Sequence, residues 1–296
     1  MSQASSIEWT DATWNPVRGC TKVSPGCKNC YAETFAERWR GIAGHPYEQG
    51  FDLRLVPEKL AEPLKWKKPR LVFVNSMSDL WHKDVPEDFI RAVYTTMAQT
   101  PQHTYQILTK RADRRREVLA RWKRDGLTLR EGHGSVLPNV WEGVSVENQE
   151  YANERLIHLR DTPAVVRFVS YEPALGPWDP RRTYAGNMNV NALEWLNWII
   201  VGGESGPGAR SFDVEWARTV VGQCREARVA CFVKQLGARP FAVEGSVAAR
   251  NWMPNGRDGV GLMDDCGLVH LKSRKGGDPD EWPGELRVRQ WPTGAS

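Results

Sequence analysis

From residue 70 onward, short apolar runs alternate with stretches that have the spacing of amphipathic helices. The runs LVFVN, TYQILT, VWEGVSV, VVRFVSYE, LNWIIVGG and ACFVKQ predict strands, and TWNPVR near the N-terminus predicts one more. Segments such as PEDFIRAVYTTMAQT and FDVEWARTVVGQCREAR lie between them and predict helices. Strands that alternate with helices form βαβ units and a parallel sheet. The pattern therefore predicts an α/β fold in which seven strands form an open or partial (β/α) barrel, with a doubly wound sheet as the alternative.

The same pattern bears on domain organisation. A chain of 296 residues can form one large α/β domain or two ordinary ones. We expect residues 1–237 to form the partial barrel, with a cysteine-containing loop at 20–30. The polar, glycine-rich residues 238–296 are expected to form an irregular C-terminal extension packed on the barrel.

Two further helices are expected before residue 70. YAETFAERWRGI follows Cys30 and places Phe35 and Trp39 four residues apart on one helical face. A short helix is expected near residues 57–66.

Three of the six cysteines lie within eleven residues, at Cys20, Cys27 and Cys30, with the spacing C-x6-C-x2-C. Thiolates this close together can converge on one metal centre, and short runs of cysteines hold iron–sulfur clusters. The spacing does not match a common four-ligand zinc pattern. Three cysteines would leave one iron of a 4Fe–4S cluster without a protein ligand. The alternatives are a disulfide with one free thiol, or a zinc site completed by His45 or His82.

The remaining cysteines, Cys224, Cys231 and Cys266, are widely spaced. Free cysteines of this kind are most often buried in the core. We expect no metal-binding role for them.

The flanks of the cysteine loop, NPVRGC and CKNCYAE, resemble the cluster loop of radical S-adenosylmethionine (SAM) enzymes, especially the branch that includes spore photoproduct lyase. That branch commonly has C-x3-C-x2-C, so the first gap here is three residues longer. The longer gap, with the NSMSDLWH, LTKR, GVSVEN, SYEPALGP and VGGESGPGAR segments, resembles a phage-associated family known as the three-Cys-motif proteins.

The resemblance implies a radical SAM type of partial barrel. Cys20, Cys27 and Cys30 would hold a 4Fe–4S cluster whose open iron binds SAM. One-electron reduction from an external donor would cleave SAM to methionine and a 5′-deoxyadenosyl radical, which then attacks the substrate.

Polar or glycine residues follow each predicted strand, in NSMSD, LTKR, SVEN, SYEP, GGES and KQLG. Binding and catalysis concentrate at the carboxyl ends of parallel strands. The alternative is that these residues form turns and helix caps. Six such ends together with the cysteine loop favour one shared site.

The resemblance implies roles at three of these strand ends. The second strand end would hold the methionyl amine of SAM, and the fourth would bind its ribose. Lys110 would meet the SAM carboxylate or a substrate phosphate, or be an ordinary solvated lysine. The candidates for the amine are Asn75, Ser76, Ser78 and Asp79, and those for the ribose are Ser145, Glu147 and Asn148.

Two later strand ends supply further candidates. Gly202 and Gly203 allow close approach of the backbone to a ligand, and Glu204 brings a charge. The alternative is a tight turn from strand to helix. Tyr171 is expected to carry a hydrogen atom or stack on a base, or else to be a buried structural tyrosine. Glu172 is the second catalytic candidate.

The net charge of +4 does not by itself identify a nucleic-acid-binding protein, but the charge is unevenly distributed. Residues 110–124 contain eight basic side chains and only two acidic ones. Such a helix can follow a phosphate backbone, or it can be a solvated outer face. Nucleic acid or a nucleotide is therefore a candidate substrate. The arginines proposed to contact phosphate are Arg111, Arg114, Arg115, Arg121 and Arg124.

Two other functional classes compete with the radical enzyme. One is a non-enzymatic zinc or iron–sulfur module that organises a surface for nucleic acid or protein. The other is a barrel enzyme in which Lys110 and Glu172 carry out acid–base chemistry while the cysteines are structural.

The sequence contains no apolar run of membrane-spanning length, and the segment MSQASSIEWTD lacks the apolar core of a signal peptide. Clustered cysteines are more often metal-binding or catalytic than disulfide-bonded in a reducing compartment. We therefore expect a cytoplasmic protein without a membrane partner.

Overall fold

The structure is a computed structural model of the 296-residue chain. It describes residues 5–129, 134–185, 188–242, 262–263 and 267–292.

A seven-stranded sheet dominates the fold. Its strands follow one another across the sheet in chain order, β1-β4-β5-β6-β7-β10-β12. The pairs whose register is defined are all parallel, for example Trp14 opposite Val74 and Val74 opposite Ile107. The strands are β1 (Ala12–Trp14), β4 (Leu71–Val74), β5 (Thr104–Thr109), β6 (Val140–Ser145), β7 (Val166–Tyr171), β10 (Trp198–Gly202) and β12 (Ala230–Gln235).

This sequential order distinguishes the two predicted architectures. In a doubly wound sheet the strand order reverses at a switch point, whereas a (β/α) barrel adds each new strand at the same edge. The prediction of an α/β fold of the partial (β/α)-barrel type is confirmed, and the doubly wound alternative is wrong.

The described residues form five α-helices beside the sheet, and four of these coincide with predicted segments between strands. In α2 the apolar residues Ile90, Val93 and Met97 are fully buried, as their spacing predicts. In α5 the side chain of Asp213 accepts a hydrogen bond from the Glu215 amide and caps the helix. The helices are α1 (Tyr31–Glu37), α2 (Glu87–Gln99), α3 (Ala112–Arg124), α4 (Gln149–Arg160) and α5 (Val214–Ala227).

The region before residue 70 is less regular than predicted. The helix α1 ends at Glu37, so Trp39 lies beyond it and instead stacks on His45 with ring centroids 4.0 Å apart. The prediction of a single helix near residues 57–66 is wrong. Two 3₁₀ turns, Pro57–Lys59 and Pro63–Lys65, take its place because proline cannot occupy a helix interior.

In the part of the chain that the structure describes, four small two-stranded pairings supplement the main sheet, and none of them was predicted. Two or three residues per strand give too short a pattern to be recognised in sequence. They pair β2 (Val17–Arg18) with β3 (Arg54–Leu55), β8 (Thr183–Ala185) with β9 (Met188–Val190), β11 (Phe212–Asp213) with β13 (Pro240–Phe241), and β14 (Leu262–Met263) with β15 (Val269–His270).

The chain forms two compact units. The first comprises residues 1–144 and 157–167, and the second comprises residues 145–156 and 168–296. The first unit buries Trp14, Trp81 and Tyr94 in its core. The second unit buries Trp178 and Trp198, along with residues of β7, β10 and β12.

In the second unit the C-terminal segment runs beside the edge strand β12. The amide of Val233 donates to the carbonyl of Val288, and the amide of Gln290 donates to the carbonyl of Cys231. Trp282, in the same segment, is fully buried. The segment therefore pairs with backbone groups that an edge strand would otherwise expose. The division into a barrel at 1–237 and an extension at 238–296 stays a prediction.

Among the described residues, no helix combines the length and the apolar character needed to cross a membrane.

Candidate metal centre and strand-end residues

The cysteine loop is attached to the carboxyl end of β4 through Gly19. Its amide donates to the carbonyl of Met77 at 3.2 Å, and Gly19 forms an isolated parallel bridge with Ser78. Gly19 has a φ of +76°, and a Cβ added there would lie 2.2 Å from the carbonyl oxygen of Asp52. Only glycine fits both constraints. The loop therefore starts from a defined point at one edge of the sheet.

The three cysteines occupy different positions on this loop. Cys27 ends the 3₁₀ turn Pro25–Cys27, and Cys30 immediately precedes α1. All three side chains are half-buried free thiols. Ser24 Oγ lies 3.8 Å from Cys27 Sγ, and Arg111 Nη1 donates to Cys20 Sγ at 3.4 Å.

Burial and neighbouring charges act in opposite directions on these thiols. Burial raises the pKa of Cys20 to about 11, with a further contribution from the Asp79 carboxylate, while the Arg111 guanidinium lowers it. Burial also raises the pKa of Cys30; the charge of Cys27 adds to the increase and that of Lys110 opposes it. Cys27 and Cys30 are thus close enough for their charges to interact. Two cations, Lys110 and Arg111, favour the thiolate forms that a metal requires.

Among the described residues, no three His, Cys, Asp or Glu side chains converge as a ligand set around one point. The donor chemistry nonetheless fits an iron–sulfur cluster, since three thiols lie on one loop with two cations beside them.

The two histidines considered as a fourth zinc ligand make other contacts. His45 stacks on Trp39, and its Nδ1 accepts a hydrogen bond from the Tyr47 amide. The Nε2 atom of His82 lies 2.9 Å from the Thr21 hydroxyl oxygen, and its Nδ1 atom accepts a hydrogen bond from the Asp84 amide. Both ring nitrogens of His82 are therefore engaged.

Asp79 is the centre of a buried polar network beside the cysteine loop. Its carboxylate accepts hydrogen bonds from Thr109 Oγ1 at 2.8 and 2.9 Å and from Arg111 Nη1 at 2.9 Å. The amides of Trp81 and Lys110 also donate to it. These donors occupy both oxygens. Asp79 consequently holds Arg111, which reaches the cysteine loop.

Arg111 is a site residue whose role here the sequence did not reveal. Its Nη1 donates to Cys20 Sγ, and its Nη2 donates to both the carbonyl and the hydroxyl oxygen of Thr21 at 3.0 Å. The only available sequence signal was its position two residues after the strand TYQILT, because the contact spans ninety-one residues of chain. From the sequence, Arg111 is a candidate for phosphate binding or for a solvated helix face.

Asn75, Ser76 and Ser78 connect the end of β4 to the segment that leads into the cysteine loop. Asn75 has a φ of +59°, and its Oδ1 accepts from the Val17 amide at 3.3 Å. Ser76 Oγ donates to Asn15 Oδ1 at 3.2 Å, and Ser78 Oγ donates to the Val17 carbonyl at 2.8 Å. The buried Asn75 Nδ2 has no hydrogen-bond partner among the described residues.

The predicted ribose-binding residues lie in the second unit. The buried Glu147 forms an ion pair with Arg155 at 2.9 Å, and Arg155 also donates to the Ser145 carbonyl at 2.8 Å. Asn148 Oδ1 accepts from the Tyr151 amide at 3.2 Å. Asn148 therefore acts as the helix cap that was the alternative interpretation.

Tyr171 has the environment of a structural tyrosine. It is fully buried, its hydroxyl donates to the Gly176 carbonyl, and its ring meets Trp178 edge-on with centroids 5.4 Å apart. Burial, followed by the charge of Asp213, raises its pKa well above the ordinary range.

Glu172 lies in a polar cluster at the carboxyl ends of β7, β10 and β12. Its Oε1 accepts from Lys234 Nζ at 2.8 Å and from Gln235 Nε2 at 3.3 Å. A Cβ at Gly202 would lie 3.1 Å from the Glu172 carboxyl carbon, so glycine leaves space for the carboxylate. Lys234 was missed in the sequence, where KQLG showed only that a polar strand end follows an apolar run.

Gly203 and Glu204 serve the turn that follows β10. A Cβ at Gly203 would lie 2.4 Å from the Leu236 carbonyl oxygen, so the close approach there is to the chain itself. The buried Glu204 carboxylate accepts from the Arg210 amide and from Arg210 Nε, both at 2.9 Å.

Most of the proposed phosphate-binding arginines have intramolecular partners. Arg114 donates to the carbonyls of Trp81, His82 and Val85, and Arg121 pairs with Glu87. Arg115 is fully buried and donates to the Gly143 carbonyl at 2.7 Å and to Glu142 Oε2 at 3.5 Å.

The exposed Arg124 lies 3.2 Å from Asp125. An exposed pair of this kind is weak and leaves the cation accessible.

Residues 4–264 match the protein family described as protein of unknown function (DUF5131). The chain belongs to the DUF5131 family. No curated protein matches it. Its phage association and its place among the three-Cys-motif proteins stay predictions.

Solved structures similar to this DUF5131 chain include two of spore photoproduct lyase. One is the lyase complexed with dinucleoside spore photoproduct; it has a TM-score of 0.41 and 9% sequence identity, and the match covers 77% of this chain and 65% of that chain. The other is a cysteine-to-serine mutant of the lyase; it has a TM-score of 0.41 and 11% identity, and the match covers 72% of this chain and 58% of that chain.

Proposed function

We propose that this protein is a radical SAM enzyme whose 4Fe–4S cluster is held by Cys20, Cys27 and Cys30. The observation that carries the proposal is the placement of three free thiols on one loop at the carboxyl edge of a sequentially ordered parallel sheet. That edge is where α/β folds of this kind bind ligands. When bound, the cluster would supply the electron that cleaves SAM to methionine and a 5′-deoxyadenosyl radical.

In this proposal the chain's own residues position the thiols. Arg111 binds the loop at Cys20 and Thr21, and Asp79 and Thr109 hold Arg111 from behind. Asp79 is therefore a positioning residue that acts through Arg111. Lys110 and Arg111 place two positive charges beside thiolates that burial would otherwise disfavour.

The buried amide of Asn75 supplies a further polar group near the loop. Its Oδ1 is used by Val17, while its Nδ2 has no partner among the described residues. A buried donor of this kind is expected to have a partner. We assign it to an oxygen of the bound cofactor, in preference to the amine-binding role that the resemblance implied.

The test is the iron content of protein reconstituted without oxygen. We expect a brown protein with about four irons per chain, as a 4Fe–4S cluster requires. Cys20→Ala, Cys27→Ala and Cys30→Ala should each lose the cluster. Cys224→Ala is the matched control, since Cys224 is a buried cysteine of the second unit and should retain full iron.

Two results would refute the assignment. One is retention of the full iron content in all three loop variants. The other is a colourless protein that binds about one zinc per chain, which is the behaviour of a structural zinc module.

A further inference from the structure

An open groove of about 600 Å³ in the first unit carries a concentration of positive charge that no function above uses. Five of the side chains that line it are cationic. One is Lys59, and the other four are Lys65, Lys67, Lys68 and Arg70. The last four belong to the segment LKWKKPR. We call this surface the lysine groove.

The charge of the lysine groove is not neutralised from within the chain. Lys65, Lys67 and Lys68 are exposed and form no ion pair with the residues that the structure describes. The acidic Glu62 also lines the groove, but its carboxylate is paired with Lys59 at 3.0 Å. Glu58 is the one other acidic lining residue. The groove therefore presents several uncompensated cations to the solvent.

The segment that carries these cations is firmly anchored. Trp66 is buried, and its ring meets His103 edge-on with centroids 5.6 Å apart. The Arg70 guanidinium lies 5.4 Å from the centre of the Trp66 ring. Trp14 Nε1 donates to the Lys59 carbonyl at 2.8 Å. Because the backbone of this segment is held at both ends, it needs little further ordering when a ligand binds.

The groove lies at the opposite end of the strands from the cysteine loop. Arg70 lies directly before β4, and Thr104 is the first residue of β5. The Thr104 amide donates to the Arg70 carbonyl at 2.9 Å. The cysteine loop is attached at the other end of β4, next to Met77 and Ser78. A ligand in the lysine groove would thus be docked there and would not undergo reaction.

We propose that the lysine groove binds the phosphate backbone of a nucleic acid without reading its sequence. A row of uncompensated cations in a concave surface complements a polymer that carries one negative charge per nucleotide. Lysine ammonium groups act as mobile point charges and lack the fixed geometry that base recognition requires. The groove is concave, which suits a strand better than the flat surface of an anionic bilayer. The proposal does not depend on the cluster.

The test is the salt dependence of binding to a fluorescent oligonucleotide, measured by anisotropy. We expect binding at low salt and a linear fall of log K with log salt, with a slope of about 0.7 to 0.9 per phosphate contact. The variant K65Q/K67Q/K68Q should reduce that slope by about 2 and weaken binding at least about tenfold at about 0.1 M salt. Binding to anionic phosphatidylserine vesicles is measured separately, because a membrane surface is the alternative partner.

The matched control is K272Q/R274Q/K275Q, which removes three exposed cations that lie close together in the second unit. Its slope should stay near that of the unmodified protein. Iron content should be normal in both variants, so failure of this proposal and failure of the cluster assignment are distinguishable. Equal losses in the two variants, no oligonucleotide binding by the unmodified protein at low salt, or lysine-dependent binding to vesicles alone would overturn the proposal.

Discussion

At the scale of single residues, the buried carboxyl of Glu142 provides a sharp test of the structure. Glu142 lies on β6 in the first unit and is fully buried beside Arg115. The Tyr94 hydroxyl donates a hydrogen bond to this carboxyl group. Burial raises the pKa of Glu142 to about 7, while the charge of Arg115 lowers it and only partly offsets the burial.

This shift predicts how stability depends on pH. Between its ordinary pKa of 4.5 and about 7, the folded protein retains a proton on Glu142 that the unfolded chain has released. The contribution of Glu142 to the free energy of unfolding is therefore complete below pH 4.5 and declines as the pH rises towards 7. Its upper limit is about 3 kcal/mol, from about 1.4 kcal/mol per pH unit.

Urea denaturation between these pH values measures the effect. Glu142→Gln should remove most of the decline, because a neutral amide does not titrate. The exposed Glu117→Gln is the control and should leave the pH profile unchanged. An identical pH dependence in the Glu142→Gln variant and the unmodified protein would contradict this account.

At the scale of elements, the strands and helices that bury a long apolar face were predictable from sequence. TYQILT and ACFVKQ coincide with β5 and β12 because each is an apolar run with polar or turn residues on both sides. The elements that were missed are stabilised by distant partners. Nothing local in Val17–Arg18 indicates that Arg54–Leu55 will pair with it.

The candidate site was predictable to a similar degree. The cysteine spacing and the polar strand ends located the site in the sequence, since both are local patterns. Contacts such as Arg111 to Cys20 and Lys234 to Glu172 join residues far apart in the chain. Only the register of the strands brings them together, so their partners could not be inferred from spacing.

The junction between β2 and the cysteine loop leads to a prediction about an element. Gly19→Ala should destabilise the protein by more than the roughly 1 to 2 kcal/mol that a left-handed backbone costs a non-glycine residue. The reason is that the new Cβ would also clash with the Asp52 carbonyl oxygen, 2.2 Å away. Chemical denaturation measures the loss, and cluster loading should fall with it.

Gly41→Ala is the matched control for this change. Gly41 has a φ of +78°, but no atom lies within 4 Å of the position that a Cβ would take. Gly41→Ala should therefore lower stability only by the cost of a left-handed backbone in a non-glycine residue, and cluster loading should not change. Equal losses of stability in the two variants would show that the close contact at Gly19 has no energetic importance.

At the scale of the whole molecule, different parts of the chain have different proposed tasks. The sequential parallel sheet brings the end of β4 and the start of α3 next to the cysteine loop. Cations at that end favour thiolates, while the lysine groove at the other end of the strands is proposed to dock a polyanion.

The most direct test is chromatography with mass spectrometry of the products formed when reconstituted protein is reduced with dithionite in the presence of SAM. We expect 5′-deoxyadenosine and methionine in equal amounts from the unmodified protein, and neither product from Cys27→Ala above a protein-free control. A protein that carries about four irons per chain and yet forms no 5′-deoxyadenosine, with or without added oligonucleotide, would contradict the assignment to radical SAM chemistry.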